Sequence, residues 1–300
     1  MRTMIGVAAA LVLASGALAQ GSGGEERTLL RGVLRCFCAP ADGAGHPDFG
    51  RPEPGLCAGV VADTLGPDDK PVFISGGFPV RAQGADAAGN PIIGPRRYIE
   101  PRPGDVAPRL EPAEAQRVES GASLDTWFRD VPGVNRRRAA PVELTFNSGA
   151  YIFDGSLPVG CGRPASQSGS ASEPGAPVDP SDSGDSGACA GFTWEMTAQF
   201  TCEPGAGAVM RFESTGDLWV FIDGRLVIDL GGEHDRAAQQ IDLDRLPWLR
   251  DGQSHSLTVL LAERGSDASD LRIDSTTPLR QPARERTEHI ARALQSLESP

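Results

Sequence analysis

The sequence predicts an all-β fold, an antiparallel sandwich or barrel with long irregular loops and a short C-terminal helix. Three observations carry this. An apolar hairpin surrounds one Asp-Gly pair at residues 217–234. Segments such as SHSLTVLLAE (254–263) and SDLRIDS (269–275) have strand length and composition and flank a Gly-containing turn, which predicts a second hairpin. Gly, Pro and Asp punctuate the chain often enough to give many short strands.

In chain order, residues 1–19 read as a secretory signal peptide: Arg2, an apolar Ala/Val/Leu run, and an A-L-A ending before Gln20. The run is short of the ~20 residues a membrane span requires, and no second long run follows, so a secreted protein without membrane insertion is expected. Residues 20–28 read as a flexible N-terminus, 29–278 as a single β domain, and 279–300 as a helical tail. In that tail Ile290, Leu294 and Leu297 recur at helical spacing.

Six cysteines, Cys36, Cys38, Cys57, Cys161, Cys189 and Cys202, lie beyond the leader, and an even number in an exported chain predicts disulfides. They fall into two groups of three, so full pairing needs a bridge between the groups. Cys161 and Cys189 bracket a Ser/Gly/Pro/Asp-rich stretch (162–188) too polar to order itself. A bridge between them closes that loop; Cys189–Cys202 is the rival. Residues 80–118 read as an irregular surface excursion, and Asn135-Arg136-Arg137-Arg138 as a solvated turn or a contact for acidic polysaccharide.

The hairpin register follows from the turn. Asp223-Gly224 favours a type I′ loop, which sets Ile222 opposite Arg225, Phe221 opposite Leu226, Val220 opposite Val227 and Trp219 opposite Ile228. Both faces are then apolar, so Trp219, Phe221, Ile222, Leu226, Val227 and Ile228 are assigned to the core of a hairpin central in its sandwich.

The formal charge of −12 makes nucleic acid an unsuitable partner and suits solubility or divalent cations. No G-x-S-x-G, H-E-x-x-H or glycine-rich phosphate loop is present, and the four histidines are scattered, so no enzyme is predicted. The loop Glu233-His234-Asp235, after Gly231-Gly232, is the polar cluster placed to bind a ligand. Trp248, beside Pro247 and a polar turn, is the candidate exposed aromatic. Asp242 and Asp244 alternate with Ile241 and Leu243, as on a half-buried strand, and Glu263-Arg264 reads as a structural contact.

The segments HPDF (46–49), WFRDVPGVN (127–135), GFTWEMTAQF (191–200), TGDLWVFIDGRLVIDLGGEH (215–234) and the AER of 262–264 resemble, in this order, the fibro-slime domains of bacterial surface and amoebal secreted proteins. The resemblance covers roughly residues 29–275. That family looks related to the protective-antigen type of carbohydrate-binding β-sandwich, in which paired aspartates before this hairpin hold calcium. The resemblance implies a glycan-binding or matrix role and calcium near Asp217, with Glu213 the other nearby carboxylate. At the family's three acidic positions stand Thr215, Gly216 and Asp217, so the aspartate pair is absent.

The function expected is a secreted or cell-surface, non-catalytic module recognising polysaccharide or a cell-surface glycan. The alternatives are a structural matrix or slime component acting by self-association, and a polysaccharide hydrolase.

Overall fold

The computed structural model describes residues 26–38, 45–50, 52–157, 189–249, 252–265 and 269–282, with the side chains of Cys38 and Cys189 left out. The signal peptide, the 162–188 stretch, Cys161 and the apolar spacing of Ile290, Leu294 and Leu297 lie outside these residues. Strands β1 (Arg27–Leu30), β2 (Gly32–Cys38), β3 (Cys57–Ala58), β4 (Phe78–Ala82), β5 (Gly84–Ala85), β6 (Pro91–Ile92) and β7 (Arg109–Leu110) come first. A four-residue helix, α1 (Gly121–Leu124), follows. Then come β8 (Arg136–Ala139), β9 (Val142–Asn147), β10 (Ala150–Gly155), β11 (Cys189–Thr201), β12 (Val209–Ser214) and β13 (Asp217–Ile222). The last four are β14 (Arg225–Leu230), β15 (Ala237–Asp242), β16 (Ser254–Glu263) and β17 (Leu271–Ser275).

Two six-stranded antiparallel sheets make the sandwich, ordered β1-β9-β10-β17-β12-β15 and β14-β13-β16-β11-β2-β8. Alternation along each strand sends one set of side chains inward. Met210, Phe212 and Ile273 from the first sheet join Leu34, Trp194 and Leu261 from the second in one core, each at most 1% exposed. Polar residues take the outer face of the first sheet. There Arg272 bonds Asp154 and Asp274, and Arg236 bonds Asp154 and Glu213.

Over β13 and β14 the outer face of the second sheet is apolar as well, because the excursion between β2 and β8 covers it there. Trp127 lies 6.1 Å from Trp219, and Tyr98 Oη donates to Leu226 O across 2.9 Å. This explains the two apolar faces of the hairpin, and it corrects the central placement. Strand β14 ends its sheet, and backbone bonds such as Leu226 N to Asp63 O and Gly231 N to Cys57 O satisfy its outer edge.

The turn forms as the sequence predicts, with φ of 47° at Asp223 and 71° at Gly224. The register holds for Ile222–Arg225 and Phe221–Leu226, then slips. Val220 pairs with Ile228 and Trp219 with Asp229, because a bulge places Leu226 and Val227 on one strand where the partner advances one residue. All six residues assigned to the hairpin core are 0% exposed.

Other expectations are corrected by topology. Residues 254–263 and 269–275 form no hairpin, since β16 and β17 belong to different sheets. Arg136–Ala139 is an exposed edge strand instead of a turn, and charge on an edge blocks further pairing. Asn135 ends the preceding loop: its Nδ2 donates to Thr126 O and Arg129 O, both at 2.9 Å. The domain begins before residue 29, because Arg27–Leu30 pairs with β9. Beyond β17, Leu279 is buried and Arg280 bridges Gln199, so the tail starts as an extended segment. Asp242 ends β15 and caps a 3-10 turn, and Asp244 accepts from Gly205 N and Gly207 N.

The uniform disulfide framework is corrected at two positions. Cys36 is disulfide-bonded, whereas Cys57 and Cys202 are free and buried. The free pair sits toward opposite ends of β16. Cys202 follows Thr201, which faces Ser254; Cys57 bonds Gly231, just past Leu230, which faces Leu218 and through it Leu261. Seven residues of strand separate those levels by roughly 20 Å, far beyond disulfide reach. A free Cys202 also removes the Cys189–Cys202 pairing. In the register of β2 and β11, Cys38 stands opposite Cys189.

Candidate functional site

At one end of the hairpin three loops meet. Thr215-Gly216 joins β12 to β13, Gly231–Arg236 joins β14 to β15, and Glu263-Arg264 ends β16. The segment Pro54-Gly55-Leu56 runs alongside and bonds the second loop through Gly55 N to Glu233 O. Between them lies an open cavity of about 730 Å³, bordered by Thr215, Glu233, His234, Asp235 and Glu263 with Pro54–Leu56 and Ala237.

Two glycines make this meeting possible. A Cβ at Gly216 would stand 2.2 Å from Ala262 O and 2.8 Å from the Glu263 carboxyl carbon, so no side chain fits there. Gly232 has φ +88°, and a Cβ on it would stand 2.3 Å from Gly55 O.

Asp217 forms the floor. It is fully buried; its Oδ2 accepts from Arg264 Nε at 2.7 Å and its Oδ1 from Gly232 N at 2.6 Å. Arg264, 1% exposed, donates through Nη1 to Arg117 O at 2.5 Å and lies 5.4 Å from the Trp127 ring centre. Trp127 Nε1 in turn donates to Asp48 Oδ2 at 3.0 Å, and Glu119 N to Asp48 Oδ1 at 2.7 Å.

Above that floor, Glu233 Oε1 accepts from Arg264 N at 2.5 Å, and Thr215 Oγ1 donates to Glu263 Oε1 at 3.1 Å. Burial, with Asp217 beside it, pushes Glu233 up to about 7. Burial, reinforced by Glu233 and Asp217, pushes Glu263 up to about 8. Near neutral pH Glu263 therefore keeps its proton and both donates and accepts hydrogen bonds, while Glu233 is divided between its protonated and charged forms. His234 Nδ1 donates to Asp235 O at 2.8 Å, and Nε2 is buried without a partner among the described residues.

Of the residues singled out in the sequence, Glu233, His234 and Asp235 border the cavity together, with Asp217 behind them. Trp248 is elsewhere: half-buried, under the Arg225 guanidinium at 4.5 Å and against Tyr98 at 6.0 Å, it is packed and not displayed. Glu213 lies on the other sheet, held by Arg211 at 2.8 Å and Arg236 at 2.9 Å, so it does not converge with Asp217. Both Asp217 oxygens are engaged. Among the described residues no group of three or more His, Cys, Asp or Glu side chains is arranged to hold a metal. Sequence reasoning missed Glu263 as a cavity wall and Arg264 as the partner of Asp217. The signal was an ionisable pair ending an otherwise apolar strand.

No family model matches the chain. It is similar to several Dictyostelium discoideum proteins, among them psiQ, psiD and psiI. Protein psiQ is 26% identical over 183 residues, 59% of this chain and 18% of psiQ. Protein psiD is 26% identical over 224 residues, 73% of this chain and 36% of psiD. Protein psiI is 38% identical over 85 residues, 28% of this chain and 11% of psiI. The chain thus spans well under half the length of these relatives. A β-glucosidase from Kluyveromyces marxianus solved with glucose is 15% identical, with a TM-score of 0.22, over 39% of this chain and 13% of that one; likeness at this level carries no argument.

Proposed function

We propose that the domain is a secreted or cell-surface, non-catalytic binding module whose cavity takes a segment of polysaccharide or cell-surface glycan. One observation carries the reading: an open cavity of about 730 Å³ in which a hydroxyl (Thr215), two carboxyls (Glu233, Glu263) and an imidazole (His234) border the same space. Ligand sites are typically cavities of about 300–1,000 Å³ with a few convergent polar groups. Sugar hydroxyls both donate and accept, and the cavity wall offers donors and acceptors for both.

We also read the chain as a fibro-slime domain. The segments that carry the resemblance meet in the structure: Asp48 of HPDF holds Trp127 of WFRDVPGVN, and Arg264 of AER links that indole to Asp217 of the hairpin. Calcium has no part in this reading, because Arg264 supplies the charge facing Asp217.

A glycan array followed by titration calorimetry tests it. Saturable binding should survive EDTA, fall at least tenfold in His234→Ala and Asp235→Ala, and be unchanged in Trp248→Phe. Absence of binding together with concentration-dependent assembly would favour a self-associating matrix component. The outer face of the first sheet, where Arg211, Arg236 and Arg272 alternate with Asp154, Glu213 and Asp274, suits that role. Carboxylate-dependent release of reducing ends from a polysaccharide panel would replace both with hydrolysis.

A further inference from the structure

We propose a second, separate site for an anionic polysaccharide in the groove on the outer face of the second sheet, where Arg31, Arg35, Lys70 and Arg137 outnumber Asp130 and Glu195. The groove holds about 380 Å³. Its floor comes from one face of adjacent strands, since Arg35 stands opposite Arg137 and Val33 opposite Glu195. The excursion that covers the rest of this face reaches the groove only through Lys70 and Asp130.

The charges do not balance. Asp130 is shared by Arg35 at 2.8 Å and Arg137 at 3.4 Å, and Glu195 by Arg35 at 3.0 Å and by Lys70. Two carboxylates thus serve three cations, and Arg31 makes no ion pair among the described residues. Two positive charges remain for a ligand. Arg136 and Arg138, also exposed and without an ion pair among the described residues, stand opposite Cys36 and Leu34 and so lie on the other face of the edge strand, outside the groove. All this stands on a chain of formal charge −12, so local attraction has a strongly repulsive background.

The lining selects the ligand among polyanions that share this repulsion. Among the described residues no aromatic side chain lines the groove, so single-stranded nucleic acid finds no base-stacking platform there. A polysaccharide carrying carboxylate or sulfate needs none, and its anionic groups fit guanidinium groups in bidentate fashion. Arg31 and Arg137 line the groove and are exposed, whereas Arg136 and Arg138 do not line it, so the discriminating groups are Arg31 and Arg137.

The test is binding of the full chain to polygalacturonate, dextran sulfate, uncharged dextran and single-stranded DNA, at 50 and 200 mM salt. Polygalacturonate or dextran sulfate should bind, lose affinity as salt rises, and bind at least tenfold more weakly to the Arg31→Ala/Arg137→Ala variant. Both side chains are solvent-facing, and an unchanged urea midpoint verifies the fold. Arg81→Ala, remote in an exposed pair with Glu111, should bind as the parent does. Preference between the two polymers identifies carboxylate or sulfate as the recognised group. No binding to either, full binding by the double variant, or equal binding of DNA overturns the proposal.

Discussion

Arg264 Nε and Asp217 Oδ2 stand 2.7 Å apart in an interior where their side chains are 1% and 0% exposed. Such a pair contributes little over a well-packed apolar replacement, but breaking it strands a charge. Asp217→Asn should therefore cost about 3–5 kcal/mol in urea unfolding at pH 7. Since the arginine, and no metal, faces the carboxylate, EDTA should leave the parent's melting temperature unchanged. A chelator-dependent drop would overturn the assignment of Arg264 as the counter-charge.

Gly216 occupies a position at which the family resembled by this hairpin carries an acid. Here a Cβ would stand 2.2 Å from Ala262 O. Gly216→Asp should accordingly destabilise by about 3 kcal/mol or more, through overpacking and a buried carboxylate, and should not create calcium affinity. Calcium titration by calorimetry, with unfolding measured alongside, checks both parts; a stable, calcium-binding variant would contradict the steric account.

What could be read in advance divides along physical lines. Local turn chemistry was legible: Asp223-Gly224 set the turn and the first two pairs of the register. The bulge at Leu226-Val227 was not, because no turn or alternation signal marks it; in the shifted register Asp229 stands opposite Trp219 and accepts the Gly59 amide of a distant loop at 3.0 Å. Apolar faces announced that the hairpin is buried but not by what, since a covering loop and a second sheet demand the same side chains. Glu233, His234 and Asp235 were found because a polar run follows two glycines. Glu263 and Arg264 looked merely structural because their partners, Thr215 and Asp217, lie 48 and 47 residues away in sequence. Trp248 showed the limit of composition: a neighbouring proline suggested display, and Arg225 and Tyr98 enclose it instead.

The two free thiols give a further test. Cys57 is 0% and Cys202 3% exposed, and burial raises both thiols above their ordinary range, so the reactive thiolate is scarce. A chromogenic disulfide reagent should label neither in the native protein at pH 8 and both in urea. Cys57→Ala/Cys202→Ala should lower the denatured thiol count by two. Rapid native labelling that the double substitution abolishes would show that these sites open.

Glu233 and Glu263 make stability fall as pH rises through neutrality. Their folded values, about 7 and about 8, lie above the ordinary 4.5 of an unfolded glutamate, and buried Asp229, pushed up to about 6, acts in the same direction at lower pH. Between about pH 4.5 and 8 the folded state therefore holds protons that the unfolded chain has released, and stability falls as pH rises, by about 1 kcal/mol per pH unit for each carboxyl. Glu213 and Asp154, held below the usual range mainly by arginine hydrogen bonds, act on the other side: their contribution disappears only as pH falls under about 4. Maximum stability is expected near pH 5, below neutrality. Urea midpoints at pH 5, 7 and 9 should decline in the parent, and Glu263→Gln, which cannot ionise, should flatten the part of the decline between pH 5 and 8. A midpoint that rises over that range, or an unaltered slope in the variant, would mean that the two carboxyls are already charged in the folded protein, and the hydrogen-bond donors assigned to the cavity would have to be withdrawn.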